Sequence, residues 1–292
     1  MVLKAEIPDL SPHLSKSPTM TTFALRIAIA HRETTKDSEA QLFAAPSSTQ
    51  PKRMRFSHLW RAAKTVEHAF ESDSFGLYMR AGEKKPIRTR TQNILFLSLW
   101  KTRQLVLTVH RGASLIVVRT GTSRPQKPIG RLIHTLLTRL SKTISSHQTT
   151  EQKKRAAELA EKSTVAVRLA IGDRVSSMIY VSLLATDPES QGHGYGGALL
   201  EAINDLADST GQASWLQSSN TENNTFYRSH GFETAGTYYM GDGNPEWTGK
   251  PILIQIMVRE PKQKSEVAQP TSIASEQRYS LSDPLSPFQC HE

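Results

Sequence analysis

The sequence predicts an α/β (α+β) fold, a mixed central sheet flanked by helices, with disordered termini; three observations predict it. Ser177 to Ala185 (SMIYVSLLA) is an apolar run of strand length that leads through a glycine-rich turn into an amphipathic helix from Gly197 to Ala207. A short strand at Ala213 to Ser218 follows, so strand, helix and strand read as a parallel crossover at the centre of the sheet. Two β-branched runs, Gln104 to His110 and Ala113 to Thr120, flank Arg111-Gly112 and read as a hairpin.

The elements follow in order. Residues 1–20 and 261–292 are rich in Ser, Pro, Gln and charge without an apolar period, so both are expected to be disordered tails around one domain at 21–260. Thr22 to Ala30 (TFALRIAIA) alternates like a strand. Ser57 to Phe70 carries Leu59, Ala62, Ala63, Val66 and Ala69-Phe70 at helical spacing. Residues 81–93 are charged and interrupted by Pro86, which predicts a basic loop insert. Ile129 to Ile144 and Glu151 to Ile171 are expected as helices, the second ended by Gly172. In the last third, Leu199, Leu200, Ile203 and Leu206 share one helical face. Glu222 to Ser229 reads as a short helix, and Phe232 to Met240 and Pro251 to Arg259 as the closing strands.

Composition excludes several classes. The chain has 292 residues and one cysteine, Cys290, so it has no internal disulfide and is expected in a reducing compartment. No run reaches the roughly 20 apolar residues of a membrane-spanning helix, and Met1 to Met20 lacks the apolar stretch of a secretory signal. A soluble intracellular protein, cytoplasmic or nuclear, is the expectation. The net charge of +9 concentrates upstream of Asp173, in runs such as Lys52-Arg53-Met54-Arg55 and Lys84-Lys85-Pro86-Ile87-Arg88-Thr89-Arg90. A basic half suits nucleic acid, an acidic membrane surface or a polyanionic ligand. No aromatic residues interleave with these runs in a stacking pattern and no nucleic-acid motif accompanies them, so they read first as a solvated face plus a disordered loop.

The chemistry sits in Gln191-Gly192-His193-Gly194-Tyr195-Gly196-Gly197, between a strand and an apolar helix. Glycines let backbone N–H groups converge on an anion with no Cβ in the way, and the helix adds its positive N-terminal end, so the turn is suited to phosphate. Gly192, Gly194 and Gly197 also satisfy the dinucleotide pattern G-x-G-x-x-G. Against that reading, Asp187-Pro188-Glu189-Ser190 separates the strand from the glycines, and Gln217 with polar serines occupies the place of the ribose-binding acid. No Gly-Lys-Ser/Thr follows, which excludes a P-loop.

Gln191-x-x-Gly194-x-Gly196 resembles the Q/R-x-x-G-x-G/A motif of the GNAT (GCN5-related) N-acetyltransferases. Leu184-Ala185-Thr186-Asp187-Pro188 is similar to the strand end that precedes the motif in that family, with Thr186 at its Val position. Asn220, Tyr227 and Gly231-Phe232 resemble a further family element in the right order. The likeness covers Met178 to Arg259 well, Thr22 to Gly172 only by element order, and is nearest to fungal members.

The resemblance implies acetyl-CoA as cosubstrate and a primary amine as acceptor. It implies that amides of Gln191, Gly192, His193, Gly194, Tyr195, Gly196 and Gly197 hold the pyrophosphate, and that the splayed backbone of Leu184, Ala185 and Thr186 pairs with the pantetheine arm. Tyr227 is implied as the acid that protonates the departing thiolate, a role a phenol with pKa near 10 can fill; on packing grounds it reads equally as a core ring. Asn220 is implied to orient the cofactor, and it also suits a helix N-cap. Histone-type relatives carry a Glu base where this chain has Tyr180, so no base is assigned. His193 and His230 lack companions at ligand spacing, and no metal is expected. The acidic last third suits cationic amines by steering. A degenerate domain that only senses acyl-CoA is the other reading.

Overall fold

The computed structural model describes residues 27–28, 49–82, 86–120, 128–146 and 148–262. The tails expected at 1–20 and 261–292 lie outside them, apart from residues 261–262, and of the strand expected at 22–30 only β1 (Ile27–Ala28) is described. All described residues belong to one compact unit that ends at Lys262.

Strands β2 (Lys52–Arg53), β3 (Leu105–Val109), β4 (Ser114–Arg119), β5 (Ile179–Thr186), β6 (Ser214–Ser218), β7 (Glu233–Met240) and β8 (Ile252–Arg259) form one sheet in the order β2-β3-β4-β5-β6-β8-β7. Every pair along this path is antiparallel except β5–β6, whose crossover runs through α6 (Tyr195–Thr210) as the sequence predicts. β1 pairs in parallel with β5, off that path.

The centre of the sheet is buried on both faces, while the edge strands β2 and β7 are largely exposed. On one face, α1 (Leu59–Ala69) and α3 (Pro86–Arg103) place Ala62, Ala63, Val66, Leu97 and Trp100 against Leu115, Val117 and Leu183. On the other, Leu199, Leu200 and Ile203 of α6 and Tyr227 of α7 (Asn224–Ser229) pack on Ile116, Val118, Ile179 and Leu216. α5 (Thr150–Ala170) caps itself through Thr149 and Gln152 and packs along β7, covering Tyr180, Trp215 and Ile256 through Val167. α4 (Pro128–Ser146) packs on α3.

The structure corrects the loop expected at 81–93, because α3 begins at Pro86. Pro at the first helical position costs no hydrogen bond, since that N–H has no intrahelical partner in any helix. The interruption is therefore a start signal, and the apolar stretch from Ile94 belongs to the same helix. Arg90 uses its charge locally, pairing with Glu67 of α1 at 2.7 Å. β2 and α2 (Ser74–Arg80) are additions to the predicted element list.

Candidate active site

β5 is where the backbone departs from regular pairing. Opposite β4, Val118 faces Val181 but Val117 faces Leu183, so Ser182 is an extra residue in the strand. A bulge of this kind bends the strand and shifts which side chains point to which face. Ile179 and Val181 lie in the core beneath α6 and α7, whereas Leu183 and Ala185 lie beneath α1 and α3, with Leu184 returned to the α6 side. Pairing between β5 and β6 ends at Val181–Leu216, although β5 continues to Thr186. Beyond that point the two parallel strands are splayed, and β1 pairs there, Ile27 with Leu184 and Ala28 with Ala185.

The bulged strand runs into the glycine turn. Asp187 closes its first step by accepting the Glu189 N–H at 3.2 Å, and a 3₁₀ turn spans Pro188–Ser190. The Gln191 side chain folds back to donate to the Thr186 carbonyl at 3.4 Å, which ties the turn to the strand end. Gly192 and Gly194 have φ of 80° and 73°, and Gly194 is the N-cap of α6. No heavy atom lies within 4 Å of a Cβ built at either glycine, so the space over the turn is open at the N-terminus of a 16-residue helix. His193 donates through Nδ1 to the Gln191 carbonyl (2.9 Å) and stacks on Tyr195, whose ring lies in turn beside His110 of the β3–β4 turn. The turn is thus braced, open and backed by a helix dipole, the conditions for holding a phosphate.

Tyr227 is fully buried, edge-on to Phe226 and Phe232, in the same core as Ile179, Val181 and Leu184 of β5. Its hydroxyl has no hydrogen-bond partner among the described residues, and burial raises its pKa well above that of a free phenol. A buried polar atom left unpaired costs stability, and such atoms call for a functional or structural reason.

Asn220 acts as a cap: its side chain accepts the Glu222 N–H at 2.9 Å at the start of the 3₁₀ turn Thr221–Asn223. Tyr180 is buried and stacked on Trp215 at 4.2 Å, with the Arg119 guanidinium 5.4 Å from its ring. Burial raises its pKa and Arg119 acts in the opposite sense. One contact has no signal in the sequence: His68, in the last turn of α1, reaches Asp187 at 3.6 Å beside the turn. Helical spacing places His68 on α1, but no local pattern couples α1 to residue 187. No group of three or more metal-ligating side chains occurs among the described residues.

No curated protein matches the chain. Among solved structures it is similar to arylalkylamine N-acetyltransferase 2 from Aedes aegypti (12% identity, TM-score 0.48, 73% of this chain and 99% of that one). It is also similar to polyamine N-acetyltransferase from Drosophila melanogaster (12%, 0.44, 72% and 98%). A third is the histone acetyltransferase HPA2 and related acetyltransferase from Corynebacterium glutamicum (14%, 0.44, 74% and 98%). The family model described as acetyltransferase (GNAT) domain matches residues 156–234, the stretch that holds the bulged strand, the glycine turn, α6, β6 and α7. Residues 156–234 thus carry a GNAT-type acetyltransferase domain.

Proposed function

We propose that this chain transfers an acetyl group from acetyl-CoA to a primary amine. The observation that carries the reading is the succession, along one strand, of a bulge, a splay from β6 and an open glycine turn capping α6. The turn is suited to the pyrophosphate, and the splayed backbone of Leu184 and Ala185 offers hydrogen-bonding groups to the amides of the pantetheine arm. β1 pairs with that backbone, so the arm would bind in its place.

In the reaction the neutral amine nitrogen attacks the thioester carbonyl, the C–S bond breaks and the thiolate leaves. Tyr227 supplies the proton the thiolate takes up, and the proton released by the acylated nitrogen restores the phenol. Burial keeps the unpaired hydroxyl protonated in the resting protein, so the proton is in place when the thiolate departs. A second reading, an acyl-CoA sensor without turnover, is favoured by one observation: the position matching the family's Glu base holds the buried phenol of Tyr180.

Acetyl-CoA at a hundredfold excess over Kd should stabilise the protein by about 2.7 kcal/mol and raise its melting temperature, while NADH leaves it unchanged. Gly194→Asp, which puts a side chain and a negative charge into the open space over the turn, should abolish the shift in a folded protein. Stabilisation by NADH alone would overturn the assignment. Incubation with amine mixtures, read by mass spectrometry for acetylated product and free thiol, separates the enzyme from the sensor.

A further inference from the structure

Away from the glycine turn, four separate stretches of chain meet around a cleft of about 1010 Å³ at the edge of the sheet beside β2. They bring Lys52, Arg53, Arg55, Arg61, Lys101 and Arg111 to its walls, and among the described residues no carboxylate lines it. None of these six cations forms an ion pair among the described residues. On sequence, Lys52-Arg53-Met54-Arg55 reads as a solvated face; the fold instead converges that run with cations from α1, the end of α3 and the β3–β4 turn.

Local structure serves this arrangement. Met54 is buried and its N–H bonds the Val106 carbonyl at 2.9 Å, which alternation turns into outward-facing Arg53 and Arg55. The four-residue β3–β4 turn, closed by the Val109–Ser114 pair, holds His110 and Arg111 at φ of 48° and 54°, two successive left-handed residues, neither of them glycine. Gly112 cannot relieve them: a Cβ there would lie 2.9 Å from the Ala62 backbone N, so the glycine is taken up by packing on α1. Strain of this kind in a non-glycine side chain, aimed into a cleft, is found at ligand sites. The joint field is felt at His58, whose pKa is lowered by burial and then by Arg55 and Arg111. Phe56, 58% exposed, adds a flat apolar wall, with Lys101 Nζ held 4.2 Å from its ring centroid.

We propose that this cleft is a second anion site, one that binds a small ligand carrying clustered phosphates. Four arginines set around a concave space suit phosphate oxygens through bidentate contacts, and the volume is that of a small-molecule site rather than a long groove. Two sources share this chemistry: a free polyphosphorylated metabolite, or the 3′-phosphate end of CoA itself. The second is within reach, since His110 on the cleft rim lies 5.0 Å, ring to ring, from Tyr195 at the start of α6, and it alone rests on the acyl-CoA reading.

The test uses the full chain and inorganic tripolyphosphate, titrated calorimetrically at low salt. The wild type should bind, and a variant with Arg55→Gln, Arg61→Gln and Arg111→Gln should lose at least about tenfold in affinity. Arg111→Gly serves as a second variant: it relieves the left-handed strain, so its melting temperature should rise while tripolyphosphate affinity falls. Binding undisturbed by saturating CoA assigns the cleft to a free ligand. Competition by CoA, with dephospho-CoA weaker than CoA in the wild type but equal to it in the triple variant, assigns it to the 3′-phosphate. No binding by the wild type, or equal affinity in wild type and both variants, overturns the proposal whatever becomes of the acetyltransferase reading.

Discussion

At Tyr227 packing and chemistry make opposite demands on one oxygen atom. The ring fills the core between α7 and β5, but the hydroxyl is buried without a partner among the described residues. An unsatisfied buried hydroxyl costs about 1–3 kcal/mol, so Tyr227→Phe should leave the resting protein equally or more stable. If the hydroxyl protonates the departing thiolate, the same change should lower kcat by about 10²–10⁴-fold with little effect on acetyl-CoA affinity, because the proton matters in the transition state. Tyr227→Ala, by contrast, should cost roughly 3–5 kcal/mol of stability through the cavity it opens. Denaturant melts of both variants beside their turnover rates decide the matter: a Phe variant of full activity, with chemistry shown to be rate-limiting, would remove Tyr227 from the reaction. Gln191 and Asn220 show how local a role can be. Each commits its side chain to the adjacent backbone, holding the turn and capping the 3₁₀ segment, and any contact to a cofactor would be additional.

Among the elements, β5 does most to shape the site, and its bulge at Ser182 separates two regimes of pairing. Before it, β5 pairs with β6; after it, Leu184 and Ala185 pair with β1. A strand of two residues contributes few hydrogen bonds, each worth about 0.5–1.5 kcal/mol net, so it competes weakly with any arm that needs the same backbone. Removing residues 1–30 should therefore tighten acetyl-CoA binding, by roughly tenfold if two such bonds are at stake. Unchanged or weaker affinity in the shortened chain would show that β1 is no competitor. The turn, α6, the hairpin and the closing strands are readable in the sequence, because glycines, helical stripes and β-branched runs are local signals. The bulge is not readable, because β5 is buried at every position from Ile179 to Thr186 and so shows no polar–apolar alternation to break. β2 is two residues long and wholly charged, and α3 opens on a proline among cations. The cationic cleft is a product of tertiary convergence, which no single stretch announces.

At the scale of the whole molecule, α6 is anchored to the last strand by a largely buried charge pair. Asp208 lies in the final turn of α6, where the helix dipole disfavours an acid, yet it accepts both Arg259 guanidinium nitrogens at 2.8 and 2.7 Å. The Lys262 N–H donates to the same carboxylate at 2.8 Å, so the chain is held through the end of the compact unit. These bonds, Arg259 first, hold the Asp208 pKa below its usual value, although burial opposes them. Asp208→Asn preserves the shape and removes the charge, leaving Arg259, 4% exposed, without its counterion. Breaking a buried pair costs about 3–5 kcal/mol, and the low end applies here because the acid keeps part of its surface in water. The pH dependence identifies the cause. Because the folded pKa is depressed, the wild type's advantage is complete above the unfolded carboxyl value of about 3.9 and disappears as pH falls through the lower folded value. Urea melts of wild type and variant should thus diverge at neutral pH and converge in acid. A gap that stays constant from about pH 7 to about pH 3 would mean that Asp208→Asn acts through geometry rather than through charge.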